Sequence, residues 1–262
     1  MLLFSYDGSF EGLLCAVYDA YTLRLFPDAL CAPKHGQGPN FLMLASRTHT
    51  VATDPSHAGR VERALQKKLS ADGMRRVHHA WLADTPTSAM ALFQYIRLVF
   101  DNCRPVDADL SHPVIFALHK LARSVSKETQ HLLGFVRFQK TAEAVYAATI
   151  APQHDVLPLL LRHFSARFAE QNWLVYDVYR DYGVLRDAGG FHDVFLDAAS
   201  AAQLKKDNGR LPAKGLAAEE ALVQNLWKTY FAAVAIQERK NPGLQARCMP
   251  RRYWRFMTEK QI

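Results

Sequence analysis

Closely spaced cysteines are missing from this chain. Its 262 residues contain four cysteines, Cys15, Cys31, Cys103 and Cys248, and none of them belongs to a Cys-x-x-Cys pair. Zinc ribbons, iron–sulfur clusters and disulfide frameworks all depend on grouped cysteines. The scattered pattern therefore argues against these three classes of protein, and it is typical of a reducing compartment such as the cytoplasm.

Other familiar signatures are missing as well. No apolar run is long enough to cross a membrane, and residues 1–7 lack the positive charge that opens a secretion signal. The histidines form no His-Glu-x-x-His metal motif, and the glycine-containing segment 34–39 lacks the spacing of a phosphate-binding loop. We therefore expect a cytoplasmic protein with no membrane association, no bound metal and no cofactor.

The composition is that of a folded, moderately basic protein. Hydrophobic residues make up 49% of the chain and charged residues 22%, which is ordinary for a protein with a packed core. The length is enough for one large domain or two small ones. The formal net charge of +7 favours a polyanionic partner.

Most of this positive charge lies near the C-terminus. From Lys228 onward there are eight Lys or Arg residues against two Glu, a net +6. Residues 249–257 combine three arginines with three aromatic residues. Arginines neutralise phosphates and flat rings stack on exposed bases, so this basic tail is a candidate nucleic-acid surface. The same rings could instead dock the tail onto the core, and the two interpretations are compatible.

The pattern leads to a set of candidate nucleic-acid-binding residues. Arg137 enters the set because it falls on a predicted strand, where an exposed arginine suits phosphate and a cross-strand ion pair is equally compatible. In the tail we expect Trp254 to be largely buried, with Arg251 and Arg255 at the rim of a groove. The full set is Arg137, Arg239, Lys240, Arg251, Arg252, Tyr253, Trp254 and Arg255.

The first region, residues 1–110, is predicted to be mainly helical with short strands. Residues 2–6 and 46–53 have the composition of strands. Apolar residues then recur at helical spacing after Ser9, which is a favourable N-cap. Asp54 and Pro55 form a cap followed by a proline at the first helical position, and they predict a second helix.

The second region, residues 111–197, is predicted to be a compact antiparallel α+β unit. The predicted strands are residues 135–138, 144–150, 173–180, 183–186 and 191–196, and a helix over residues 156–168 is capped by Asp155. Residues 198–218 have the composition of a linker, a helix over 219–237 follows, and the basic tail ends the chain. The fold class is α+β, and the three regions together could form a single domain.

Two neighbouring residues are weak candidates for catalysis. His154 and Asp155 stand beside a predicted helix start and could form an acid/base pair. The alternative is purely structural, with Asp155 as the helix cap and His154 in a turn. Both interpretations remain open at the level of sequence.

Several segments together resemble a bacterial family of proteins assigned to DNA repair and DNA metabolism and defined mainly by a domain of unknown function. The similarity covers residues 2–259. Its motifs are Tyr-Asp-Gly-Ser-Phe-Glu-Gly at 6–12, His-Leu-Leu-Gly-Phe-Val-Arg-Phe at 131–138, Ile-Ala-Pro-Gln-His-Asp-Val-Leu-Pro at 150–158, Trp-Leu-Val-Tyr-Asp at 173–177 and Met-Pro-Arg-Arg-Tyr-Trp at 249–254.

The resemblance implies a cellular context more than a chemistry. Related proteins are partners of a radical-SAM protein assigned to DNA modification or repair, and in some of them a uracil-DNA glycosylase-like domain follows. This sequence contains no Cys-x-x-x-Cys-x-x-Cys motif for a radical-SAM cluster. We therefore expect an accessory protein that binds DNA, or the radical-SAM partner, or both. The alternative is a cofactor-free hydrolase or lyase that acts on damaged DNA.

Overall fold

The computed structural model describes residues 1–33, 45–103, 105–107, 109–207 and 209–260. Within these residues the chain forms two compact units, residues 1–127 and residues 128–262. The glycine-containing segment at 34–39 lies outside the described residues. None of the helices in the described ranges combines the length and apolar character needed to cross a bilayer.

The first unit contains a three-stranded sheet in which every pair is parallel. Its strands are β1 (Leu2–Ser5), β2 (Ala29–Cys31) and β3 (Arg47–Thr50), in the order β2-β1-β3. The predicted strands β1 and β3 are confirmed. Strand β2 was not predicted, because three residues are too few to show an alternating pattern.

Helices pack around this sheet, and two predicted caps start them. Ser9 accepts a hydrogen bond from the Gly12 amide at 2.9 Å, and Asp54 accepts one from the Ser56 amide at 2.7 Å. Both caps satisfy amide groups that the first helical turn leaves without a partner. The helices are α1 (Phe10–Leu23), α2 (Pro55–Lys68), α3 (Ala71–Trp81), α4 (Ser88–Asp101) and α5 (Pro113–Phe135), the last of which continues into the second unit.

The second unit contains a five-stranded sheet whose strands are paired in chain order. They are β4 (Gln139–Lys140), β5 (Tyr146–Ile150), β6 (Trp173–Asp177), β7 (Tyr182–Asp187) and β8 (Gly190–Val194). The predicted α+β class is confirmed, but the sheet is mixed and not wholly antiparallel. Strands β5 and β6 are parallel, because helix α6 (Leu157–Arg167) crosses between them and returns the chain in the same direction.

Two further predictions for this unit were wrong. Residues 135–138 were expected to form a strand, but α5 extends to Phe135 and the next strand begins only at Gln139. A segment of four residues is too short to distinguish the helical period from the strand period. Residues 198–218 were expected to be a linker, but helix α7 (Ala198–Lys206) occupies the first part. Asp197 caps α7, and the burial of Ala201 and Leu204 stabilises it.

The core of the second unit is built around Trp173 on β6. This side chain is fully buried, and its ring lies 6.5 Å from the ring of Phe138 and 6.0 Å from that of Phe164. Edge contacts of this kind stabilise an aromatic cluster beyond simple burial. Two more helices follow the sheet, α8 (Glu220–Ala233) and α9 (Pro242–Cys248), and α8 is four residues shorter than the predicted helix at its C-terminal end.

Candidate nucleic-acid interface

The basic tail is folded and not extended. After Pro250 the chain forms two short 3-10 helices, Arg251–Phe256 and Thr258–Lys260. Tyr253 is only 1% exposed, and Met257 is also fully buried. The burial of two large side chains contributes several kcal/mol, which is enough to hold so short a segment against its conformational entropy.

The residue that anchors the tail differs from the expected one. Trp254 was predicted to be largely buried, but it is only partly buried, and its indole N–H donates to the Met249 carbonyl at 2.9 Å. Tyr253 takes the buried position because its hydroxyl reaches a carboxylate in the interior. That prediction was therefore wrong about the ring, although the tail itself is docked.

The interior partner of Tyr253 is Glu128, on the last turns of helix α5. The Tyr253 hydroxyl donates to Oε1 of Glu128 at 2.8 Å, and Arg252 donates to the same oxygen at 3.2 Å. Burial, followed by the bond to Glu128, raises the pKa of the Tyr253 hydroxyl above its usual value. The phenol is therefore a permanent donor at any physiological pH.

Glu128 also holds the loop that follows strand β5. It accepts hydrogen bonds from the amides of Gln153 at 3.1 Å and His154 at 2.8 Å. From the other side Arg180 donates to the carbonyls of Pro152 at 3.3 Å and Gln153 at 2.9 Å. The loop at 152–154 is thus held by hydrogen bonds to both its backbone N–H groups and its carbonyl groups.

Asp177 at the end of strand β6 supports Arg180. Its carboxylate is fully buried, accepts a hydrogen bond from the Tyr179 amide at 2.8 Å and pairs with the Arg180 guanidinium at 3.0 Å. Burial raises the pKa of Asp177 to about 6, and the charge of Arg180 opposes a larger rise. Because β5 and β6 are parallel, Asp177 and the loop after Ile150 lie at the same edge of the sheet.

The structure also places the two weak catalytic candidates in this loop. Asp155 does not cap helix α6, which begins after Val156 without a side-chain cap, so the expected capping role is wrong. Asp155 instead accepts a short hydrogen bond from the hydroxyl of Tyr182 on strand β7. His154 is partly exposed. Their role as an acid/base pair stays a prediction.

The arginines of the tail lie over aromatic rings. The guanidinium of Arg251 is 5.6 Å from the centre of the Trp254 ring, and that of Arg255 is 4.6 Å from the centre of the Phe256 ring. Both arginines are exposed. Stacking on a ring limits the rotamers of a guanidinium, so both exposed side chains are held over the rings of the tail.

Arg255 also lines a hollow in the surface of the second unit. The hollow has a volume of about 300 Å³ and is bounded by Val178, Tyr179, Lys205, Gly209 and Arg255. The side chain of Tyr179 is 69% exposed, immediately after the buried Asp177 and Val178. Lys205 pairs with Asp181 at 2.6 Å, which fixes the ammonium at the edge of the hollow.

Tyr179 and Lys205 were not among the residues predicted from sequence. Lys205 was assigned to a linker, and Tyr179 to the interior of a strand. The only available signal was the Tyr-Arg pair at 179–180 just beyond an apolar strand, and such a pair is also common in ordinary turns. Only the folding of the tail against this edge of the sheet brings Tyr179 and Arg255 together.

Three other predicted residues lie elsewhere in the second unit. Arg137 forms a two-point ion pair with Glu259, with nitrogen–oxygen distances of 2.7 and 3.2 Å, and stacks on Trp227 at 5.5 Å. Burial would raise the pKa of Glu259, but hydrogen bonds from Arg137 and Trp227 hold it below its usual value. Arg239 and Lys240 are exposed in the turn after helix α8 and do not line the hollow.

Within the described parts of the chain, no group of three or more His, Cys, Asp or Glu side chains is arranged to hold a metal ion. The hollow brings together the exposed ring of Tyr179, the guanidinium of Arg255 and the ion pair between Lys205 and Asp181.

Comparison with known proteins places the chain in a family. No curated protein matches the sequence significantly. One solved structure with some similarity is described as a pGpG-specific phosphodiesterase, PggH from Vibrio cholrae, with 11% identity, coverage of 89% of this chain and 99% of that chain, and a TM-score of 0.30. A score this low does not establish a shared fold. The model of a domain of unknown function, DUF4130, matches residues 86–259. The chain therefore belongs to the DUF4130 family.

Proposed function

We propose that this chain is an accessory protein of DNA repair or DNA metabolism that binds nucleic acid at the hollow beside its basic tail. The observation that carries the proposal is the exposed ring of Tyr179 next to Arg255 and Lys205 around a hollow of about 300 Å³. An exposed ring gives a base a stacking surface, and the neighbouring cations attract the phosphate groups.

The surrounding charge supports the same conclusion. The segment from Lys228 onward, which includes the basic tail, carries a net charge of +6, and within the tail Arg251 and Arg255 are exposed over aromatic rings. Contacts to phosphates release counterions, so such a surface binds nucleic acid with an affinity that depends on salt. Stacking does not depend on base identity, and we therefore propose binding with little sequence specificity.

The family resemblance supports a division of labour in this proposal. We propose that this chain acts beside a radical-SAM protein assigned to DNA modification or repair, as the resemblance of its sequence implies. In that arrangement the partner polypeptide performs the chemistry, and this chain holds the nucleic acid.

The direct test is the binding of a fluorescein-labelled oligonucleotide, single-stranded or duplex, followed by anisotropy over a range of salt concentrations. We expect Tyr179→Ala to weaken binding by about 1–3 kcal/mol, the value of one base stacked on a ring. For a single strand, Arg255→Ala should reduce the slope of log K against log salt by about 0.7, because one phosphate contact is lost.

Matched controls separate this site from general charge and hydrophobicity. Phe195→Ala removes another exposed ring, and Lys214→Ala removes another exposed cation, and neither residue lines the hollow. Equal effects in the control and site variants, or unchanged binding in both site variants, would reject the proposal.

A second candidate function is a cofactor-free hydrolase or lyase that acts on damaged DNA. One observation favours it: the buried Asp177, with a pKa of about 6, lies at the same sheet edge as the loop that carries His154 and Asp155. The test is incubation of the purified protein with uracil-containing or alkylated DNA. Product formation that disappears in His154→Ala or Asp155→Ala would establish this activity in place of the accessory role.

A further inference from the structure

A pocket with a volume of about 300 Å³ lies between the five-stranded sheet and helix α7, and we call it the sheet pocket. The sheet contributes Ala147 of β5 and Leu174 and Tyr176 of β6 to its wall. Ala147 is the cross-strand partner of Leu174, and side chains alternate along a strand, so this wall is the sheet face opposite Trp173. The sheet pocket is therefore separate from the aromatic core around Trp173.

One face of helix α7 forms another wall of the sheet pocket. Its lining residues Ser200, Gln203 and Leu204, followed by the C-cap residue Asp207, lie at spacings of three and four residues. Leu204 belongs to a cluster of buried side chains that also contains Tyr176. This cluster holds α7 on the sheet, so both walls of the pocket are parts of one packed structure.

Several polar groups of the lining are already bonded within the protein. The Thr149 hydroxyl donates to the Gly209 carbonyl at 2.5 Å, and the side-chain amide of Gln203 donates to the Asp207 carboxylate at 2.7 Å. The hydroxyl of Tyr176 is buried, so its ring presents carbon atoms to the pocket. A water molecule in a cavity needs two to four polar partners. The inner surface of the sheet pocket therefore favours an apolar occupant over water.

The charges at the sheet pocket balance. Among the described lining residues the charged ones are Asp207 and Arg210, one anion and one cation. Arg210 and Ser200 are exposed, so they mark the mouth that faces solvent. A charged ligand would lose its hydration on entering an apolar space and would gain no net attraction from this pair. The sheet pocket therefore suits an uncharged molecule.

The volume indicates the size of the ligand. An apolar cavity of about 150 Å³ accepts one benzene molecule, so a pocket of about 300 Å³ matches two fused rings. A nucleobase of similar size fits less well, because the donors and acceptors on its edges would leave water without finding partners on this lining.

We propose that the sheet pocket binds an uncharged, largely apolar small molecule of about two-ring size. Burial of the apolar body of the ligand provides the affinity, and the shape of the walls selects its size. Among the described residues the sheet pocket and the hollow at Tyr179 share no lining residue. This site therefore goes beyond the proposed function and does not depend on it.

The test uses 1-fluoronaphthalene as the probe, and its binding to the full chain is followed by fluorine NMR. We expect the probe to bind, and we expect 2-naphthoate, added as a competitor, to bind about tenfold more weakly because its carboxylate loses hydration. Adenine should not displace the probe, because the lining leaves its polar edges unpaired.

Three variants locate the binding. Ala147→Leu fills the pocket from the sheet, and Ser200→Phe blocks the mouth, so each should weaken binding of the probe by about tenfold or more. Ser200 is exposed, so Ser200→Phe reports on the pocket without disturbing the core. Ala202→Leu is the matched control, because Ala202 is an exposed residue of α7 outside the described lining, and this variant should bind the probe like the unmodified chain.

Each contrary result overturns the proposal. Absence of binding up to the solubility of the probe, or equal affinity in the unmodified chain and all three variants, would show that the sheet pocket is not the site. Tighter binding of 2-naphthoate that is lost in Arg210→Ala would assign the pocket to an anionic ligand. Displacement of the probe by adenine would assign it to a nucleobase.

Discussion

The hydroxyl of Tyr253 donates a hydrogen bond of 2.8 Å to the carboxylate of Glu128, across 125 residues of sequence. The same carboxylate accepts hydrogen bonds from the backbone amides of Gln153 and His154. One buried acid therefore joins the basic tail, helix α5 and the loop after strand β5. Stability of the tail and geometry of the loop are consequently linked.

The first prediction concerns the tyrosine hydroxyl. Tyr253→Phe keeps the buried ring but removes one donor to a buried carboxylate, and hydrogen bonds to charged groups contribute about 1.5–3 kcal/mol. We expect the free energy of unfolding in urea to fall by about 2 kcal/mol. Tyr230→Phe, which removes the hydroxyl of an exposed tyrosine, is the control and should change little. Equal stability of both variants would contradict the role assigned to this bond.

The second prediction concerns the acid itself. Glu128→Ala leaves two amides, a phenol and a guanidinium without their acceptor, and we expect a loss of about 3–5 kcal/mol. Glu128→Gln should lose an intermediate amount of stability. Its side-chain N–H₂ would face the backbone N–H of His154, which in the unmodified chain donates a hydrogen bond to Oε2 of Glu128. Glu143→Ala, at an exposed glutamate, serves as the control. If Glu128→Ala and Glu143→Ala have the same free energy of unfolding, the carboxylate of Glu128 does not hold the tail.

The third prediction concerns the docked tail as a whole. A chain that ends after Met249 loses the buried side chains of Tyr253 and Met257, and we expect about 3–5 kcal/mol less stability from the lost apolar burial. It should also lose oligonucleotide affinity, since Arg255 is removed. The control is a chain that ends at Lys260. An unchanged melting temperature for the shorter chain would show that the tail does not contribute to the fold.

The fourth prediction concerns pH and Asp177. Its pKa of about 6 in the folded protein lies above the value of 3.8 for an isolated group. Between these values the native state binds more protons than the unfolded state, so this group contributes stability below pH 4 that is lost as pH rises through 6. The contribution is about 3 kcal/mol for a shift of this size.

The measurement is the difference in free energy of unfolding between the unmodified chain and Asp177→Asn, taken from pH 4 to pH 8. We expect this difference to decline up to about pH 6 and then to stay level, because asparagine does not titrate. A difference that is constant with pH, or that increases, would show that the Asp177 pKa is not raised.

Local chemistry explains which features could be predicted from sequence. The caps at Ser9 and Asp54 are confirmed, because a cap depends on atoms two or three residues away. Helix α7 was missed, since an alanine- and lysine-rich segment can form a helix or a linker until Ala201 and Leu204 find a surface to cover. Asp155 was assigned to a cap from its position, whereas its partner Tyr182 is 27 residues away.

By itself the sequence determined the α+β class, the concentration of positive charge in the tail and the helices of the first unit, since these follow from composition and short-range periodicity. The tertiary structure alone decided that Tyr253 is the buried anchor in place of Trp254, that Arg137 pairs with Glu259, and that Tyr179 and Arg255 share one hollow. These relationships join residues 76 to 122 positions apart, or depend on which of two adjacent rings finds a buried acceptor. No local pattern records such contacts, because they exist only once the sheet and the tail have packed together.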